Sequence, residues 1–246
     1  MQYVEYGAHN SLTIILLHGG GLSWWNYREV AQLLADKYHV VLPILDGHAD
    51  SDAPFTSIED NAARIIAHID EHFGGKVLAV GGLSLGGQIA VEVLTQSPDI
   101  CSFMLLESTL VKPSKLTHAL IKPTFGMSYN LIKQKWFAKL QAAYLGIPKK
   151  LFNDYFRDTC KITKEDMIAF LESNSAYSIK PALRDAQAKV HIVFGSKEQS
   201  SIRTSGKLLN HTILGSTLEI LPGYNHGDLS LNHPQAYAQM LLTLII

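Results

Sequence analysis

Six short apolar runs punctuate the chain, at residues 12–17 (LTIILL), 40–45 (VVLPIL), 76–82 (KVLAVGG), 102–107 (SFMLLE), 189–195 (KVHIVFG) and 217–223 (TLEILPG). Each is nearly continuous rather than alternating, which predicts strands buried on both faces of a mostly parallel sheet. Between them the apolar spacing becomes helical. Ile58, Ala62, Ile65, Ile66, Ile69 and Phe73 recur every three or four positions, after a Ser57 cap and before the stop at Gly74-Gly75. Ile89, Ala90, Val93 and Leu94 repeat the pattern ahead of Ser97-Pro98. A last helix is predicted to begin near Pro234, with Tyr237, Met240, Leu241 and Leu244 on one stripe. Alternation of this kind predicts an α/β fold built on a doubly wound, mostly parallel sheet.

The alternation fails between about residues 112 and 180, where helical sequence such as SYNLIKQKWFAKLQAAYLG intervenes. We therefore expect a main domain formed by residues 1–111 and 181–246, interrupted by a helical cap at 112–180. With 246 residues, 47% of them hydrophobic, the chain can bury one substantial core. The formal net charge of −1 supplies no global basic field, so nucleic acid is not an expected partner. That near-neutrality hides an asymmetry. Residues 112–180 carry twelve Lys and Arg against five Asp and Glu, a net +7 that leaves −8 for the rest.

Cys101 and Cys160 are the only cysteines and lack metal or redox spacing, so both are expected to be free thiols in a reducing compartment. The first residues, MQYVEYGAHNS, show no basic-then-apolar leader, and no run approaches the roughly 18 apolar residues of a membrane span. The expectation is a cytoplasmic protein with no transmembrane segment. Composition says nothing of its oligomeric state.

Candidate chemistry begins with Gly82-Leu83-Ser84-Leu85-Gly86, which falls where a predicted strand ends and a helix begins. A strained turn there needs small flanking residues, and it would project the Ser84 hydroxyl above the sheet edge, beside the positive end of the following helix. A nucleophilic serine also needs donors for the oxyanion it creates. His18-Gly19-Gly20-Gly21 follows the first strand, and the Gly20 and Leu85 N–H groups are the candidate oxyanion hole. Among eleven histidines, His226 stands out because its loop leaves the C-terminal end of a strand, where open α/β sheets bind ligands. His18 is expected to order the glycine loop, whereas His48 and His233 have no comparable placement.

HGGG after one strand and GLSLG after another resemble the α/β-hydrolase superfamily over nearly the whole chain. The resemblance implies an acid in a turn after a later strand and a histidine after the last one. Gly195-Ser196-Lys197-Glu198 and Gly223-Tyr224-Asn225-His226-Gly227 match those positions, and the order Ser84, Glu198, His226 agrees with the family's. It therefore implies a catalytic triad of Ser84, Glu198 and His226, and a small-molecule, partly apolar substrate cleaved by ester hydrolysis through an acyl-enzyme.

The match has departures. Asp46-Gly47-His48-Ala49-Asp50-Ser51 carries Ala49 where the family's support loop has a second glycine, and the acid is Glu rather than the commoner Asp. Glu107, at the end of the preceding strand, is the rival acid. No cofactor fingerprint occurs, and His48, Asp50 and Asp52 lack the company of a metal motif, so neither cofactor nor metal is expected. The aromatic residues of the cap, among them Trp136, Tyr144 and Phe170, are expected partly to roof an apolar pocket. Two competing readings are a cofactor-free lyase, in which Ser84 and His226 move protons, and a non-catalytic ligand-binding module.

Overall fold

The computed structural model describes all 246 residues, Met1–Ile246. The apolar runs form β2 (Thr13–Leu17), β3 (His39–Ile44), β4 (Val77–Leu83), β5 (Cys101–Glu107), β6 (Lys189–Gly195) and β7 (Thr217–Leu221). Together with β1 (Gln2–Tyr6) they make one seven-stranded sheet in the order β1-β3-β2-β4-β5-β6-β7. All pairings are parallel except that of β1 with β3. Every residue of β2 and β3 is buried, as continuous apolar sequence requires. The period of two then divides each strand between two apolar layers. Ile15 and Leu17 enter one core, and Ile14 and Leu16 the other.

Two strands depart from the sequence expectation. The β1 segment, QYVEY, interrupts its apolar residues with Gln2 and Glu5 and is only partly buried, so it carries no continuous apolar signal, and it pairs antiparallel at the sheet edge. The TLEILPG run predicts a strand buried on both faces. As β7 it occupies the opposite edge with every residue partly or fully exposed, because no strand covers its outer side.

Helices α2 (Ile58–Phe73) and α3 (Leu85–Gln96) cover one face of the sheet, and α1 (Arg28–Leu34) covers the other. The Ser57 hydroxyl accepts the Asp60 N–H at 3.0 Å, and Gly74 closes α2 in the left-handed region, so this helix begins and ends where its punctuation predicts. Between β5 and β6 the chain forms α4 (Lys115–Ile132), α5 (Lys135–Tyr144), α6 (Phe152–Thr159) and α7 (Lys164–Ala176). After β6 come α8 (Ser200–Thr212), the short α9 (Asp228–Asn232) and α10 (Pro234–Ile245), which joins α1 on its face with Tyr237, Leu241 and Leu244 buried. No helix is long and apolar enough to cross a membrane.

Candidate active site

The turn from β4 into α3 holds Ser84 at φ 53°, ψ −111°, a conformation that L side chains rarely adopt. Its glycines are required by contact. A Cβ on Gly86 would lie 2.1 Å from the Leu17 carbonyl oxygen, and one on Gly82 would lie 2.4 Å from that of Gly86. The Ser84 N–H donates to the Glu107 carbonyl at 2.9 Å, which ties the turn to the neighbouring strand end. Ser84 thus stands at the head of α3, and Leu85 begins the helix's first turn, whose N–H groups have no intrahelical acceptor.

The glycine loop after β2 is held from both sides. The Gly19 N–H donates to Asn26 Oδ1 at 3.3 Å, and the Gly21 N–H donates to His48 Nε2 at 3.0 Å. The Gly20 N–H between them has no backbone or side-chain acceptor. A Cβ on Gly20 would sit 3.5 Å from the Leu85 side chain, so the two amide-bearing segments adjoin.

Two neutral imidazoles support this loop. His18 Nε2 accepts the Leu45 N–H at 3.1 Å while Nδ1 donates to the Gly19 carbonyl at 2.9 Å, and burial holds its pKa well below the usual value. His48 Nδ1 donates to the Asp46 carbonyl at 3.0 Å, and burial lowers its pKa to about 4. Both rings therefore keep the lone pair with which they accept an N–H. His48 has no placement comparable to that of His226, and its part is supporting: it fixes Gly21 and stacks on Phe170 of α7 at 4.7 Å. Its only sequence signal was the likeness of residues 46–51 to a support loop.

Glu198 and His226 meet across loops 28 residues apart, with His226 Nδ1 and Glu198 Oε2 at 2.8 Å. The Glu198 side chain is fully buried, whereas that of His226 is 45% exposed. The other carboxylate oxygen, Oε1, accepts the Gly195 N–H at 2.9 Å and the Ser108 hydroxyl at 2.7 Å. Ser108 Oγ in turn accepts the Gly227 N–H at 3.3 Å, so one hydroxyl bridges the carboxylate and the loop that carries the imidazole. Ser108 is buried and, like Ser84, adopts φ 53°. Nothing in the sequence reading marked it.

Glu107, the rival acid, is directed elsewhere. Its Oε1 accepts the N–H groups of Leu229 and Ser230 at 3.0 and 3.2 Å, at the start of α9, and Oε2 has no partner. Burial pushes its pKa up to about 7.

Ser84 and His226 are not joined by a hydrogen bond here, but both line the same two cavities. Such bonds are often long before a substrate arrives. The inner cavity, of about 160 Å³, is bounded by Gly20 and Leu85 and by apolar side chains that include Leu22, Ile147, Phe170 and Leu231. The outer one, of about 580 Å³, is lined by Lys197, Gln199, Ser201 and Asn225 together with Tyr144. Asn174 of α7 and Leu145 reach both. Of the aromatic residues expected to roof the pocket, Phe170 walls the inner cavity and Tyr144 the outer one, while Trp136 stands in solvent. No cluster of three or more His, Cys, Asp or Glu side chains is arranged to hold a metal ion.

The profile of the "Alpha/beta hydrolase family" matches residues 14–240. Among curated proteins, the chain is 29% identical over 155 residues to the "Uncharacterized hydrolase YugF" of Bacillus subtilis, an alignment covering 61% of this chain and 54% of that protein. The chain thus spans only about half the length of that relative. Among solved structures it resembles the enol-lactonase from Burkholderia xenovorans, with TM-score 0.84, 17% identity and coverage of 99% of this chain and 95% of that one. It also resembles the esterase EaEST from Exiguobacterium antarcticum, with TM-score 0.83, 17% identity and coverage of 99% and 94%. At these identities the structural likeness speaks for the fold.

Proposed function

The chain belongs to the alpha/beta hydrolase family, and from that premise we propose that it hydrolyses carboxylic esters through an acyl-enzyme on Ser84. The observation that carries this reading is the buried Glu198 carboxylate, which holds His226 by one imidazole nitrogen above a cavity that the strained Ser84 also lines. In this role Glu198 fixes the tautomer, leaving Nε2 with a lone pair directed away from the carboxylate. Ser84 Oγ attacks the acyl carbon and passes its proton to Nε2, while the Gly20 and Leu85 N–H groups receive the oxyanion. The imidazolium then protonates the leaving alkoxide. Water repeats the sequence on the acyl-enzyme, releasing the acid and restoring Ser84.

The two cavities give this reaction a direction. The inner cavity contains the Gly20 and Leu85 segments and is apolar, which suits a small apolar acyl group. The outer one also borders His226, from which the leaving oxygen takes its proton, and its polar wall of Lys197, Gln199, Ser201 and Asn225 suits a hydrophilic alcohol. Residues 112–180 act as a cap that supplies Leu145, Phe170 and Asn174 to the site. The YugF protein carries the name hydrolase, and the two structural neighbours are named as an esterase and an enol-lactonase, all in keeping with this chemistry.

The test pairs turnover of a short-chain aryl ester with trapping by a fluorophosphonate. Wild-type protein is expected to turn over the ester and gain one covalent adduct on Ser84. Ser84→Ala should lose roughly 10³-fold or more in kcat and take up no adduct, at unchanged thermal stability. Activity of Ser84→Ala within tenfold of wild type would refute the nucleophile. Turnover without any trappable acyl or phosphonyl Ser84 would favour proton-transfer chemistry instead.

A further inference from the structure

Helices α4 and α5 carry apolar side chains that the fold does not use. In α4, Leu116, Leu120, Met127 and Leu131 are all exposed, Met127 to 85%. Their spacing of i, i+4, i+11 and i+15 gathers them within about 60° of arc at 3.6 residues per turn. The helix packs through a different face, with Ile121 and Ile132 buried and Phe125 and Tyr129 against the core. In α5, Trp136, Leu140 and Tyr144 lie at i, i+4 and i+8 and are 60%, 63% and 83% exposed, while the small Ala138 and Ala142 face inward. Each helix thus packs through one face and presents a second apolar stripe to solvent. Exposed apolar residues scattered singly need no explanation, but two aligned stripes in consecutive helices do.

The charge of this segment is equally one-sided. Residues 112–153 contain eight lysines and no Asp or Glu. Lys122 and Lys150 pair with Glu172 and Glu29, but Lys112, Lys115, Lys133, Lys135, Lys139 and Lys149 form no ion pair. Lys135 and Lys139 flank the α5 stripe directly. That stripe ends at Tyr144, which is also a wall of the outer cavity containing Ser84 and His226.

From these observations we infer that the α4–α5 face docks on an anionic lipid surface, with the apolar stripes entering the headgroup boundary and the lysines against lipid phosphates and carboxylates. The composition fits this occupant better than a protein. Lysine is depleted at protein–protein interfaces, whereas Lys beside Trp, Tyr and Leu is the usual equipment of helices that lie in the plane of a bilayer. A second copy is disfavoured because pairing this face with itself would bring together two sets of four unpaired lysines, Lys115, Lys133, Lys135 and Lys139. Docking here sets the mouth of the outer cavity beside the lipid surface. The inference does not depend on which reaction occurs at Ser84.

The experiment is co-sedimentation of the full chain with large vesicles of phosphatidylcholine alone or with about one-third phosphatidylserine. Binding is expected only to the anionic vesicles, and it should fall as salt rises from about 0.1 M to about 1 M. Lys135→Gln/Lys139→Gln should weaken binding about 30-fold, the equivalent of ~2 kcal/mol at about 1 kcal/mol per lysine. Trp136→Ser/Leu140→Ser should weaken it by at least tenfold, because it removes two buried apolar anchors. Both variants should keep the wild-type melting temperature and soluble-ester turnover, since none of these side chains lines the cavities. The inference fails if wild type does not bind anionic vesicles, or binds neutral ones as well. It also fails if both double variants bind as wild type does, or if the α5 variant instead abolishes a dimer measured by light scattering.

Discussion

Replacing Glu107 by Gln should stabilise this protein, and only above mildly acidic pH. The Glu107 carboxylate is enclosed at the end of β5, with two N–H donors on one oxygen and none on the other. Burial outweighs those donors and raises the pKa from 4.5 to about 7. Because the folded value lies above the unfolded one, the native state binds this proton more tightly. Its contribution is therefore fully present below about pH 4.5 and is lost as pH rises to about 7. At 1.36 kcal/mol per tenfold change in proton affinity, that interval corresponds to about 3 kcal/mol of stability forgone at pH 8. Gln is neutral at every pH and keeps an oxygen for the Leu229 and Ser230 N–H groups.

Urea unfolding of wild type and Glu107→Gln at steps between about pH 5 and about pH 8 reads the effect, since titrations of groups not coupled to Glu107 cancel in the difference. The variant should gain little at the acid end and about 3 kcal/mol at the alkaline end, or roughly 6–12 °C in Tm for a chain of this size. Ester turnover should stay near wild type, because His226 is paired with Glu198. A pH-independent difference, or a variant weakened at pH 8, would refute the burial argument. A folded Glu107→Gln protein with collapsed turnover would instead make Glu107 the catalytic acid.

Other consequences can be checked with the same ester. Glu198→Gln should lower kcat by about 10²-fold or more with little change in KM, because the amide can present N–H to the imidazole and impose the wrong tautomer. Ser108→Ala removes one donor from a buried carboxylate and should cost about 1.5–3 kcal/mol in transition-state stabilisation, or ~10- to 150-fold in kcat/KM. Ser108→Gly also lacks the hydroxyl but relieves φ 53°, so it should be as poor a catalyst as Ser108→Ala yet more stable to urea. Recovery of turnover in the glycine variant would show that the backbone, not the hydroxyl, matters there.

What was legible in the sequence is what short-range sterics and periodicity impose. Strands β2 to β6 announce themselves because a central parallel strand must be apolar on both faces. The Ser57 and Gly74 boundaries of α2 depend on groups a few residues away. The turn around Ser84 is likewise local, since Gly82 and Gly86 are demanded by backbone contacts of that turn and of the adjoining strand end. Family likeness added Glu198 and His226 by their places after β6 and β7.

Tertiary structure alone decided the rest. Whether Glu107 or Glu198 meets His226 depends on which loop bends over the sheet edge, and Glu107 ends, while Glu198 closely follows, apolar strands that look alike in sequence. The third partner of that pair, Ser108, is 90 residues from Glu198 and 119 from Gly227. His48 has no motif of its own, and its service to Gly21 arises from β2 and β3 lying side by side. The exposed β7 and the unmarked β1 are edges, a property of strand order and not of either strand. The α4 and α5 stripes carry the same apolar periodicity whether they face a core or solvent. Periodicity records that a helix has an apolar face, while what lies against that face is set by distant chain.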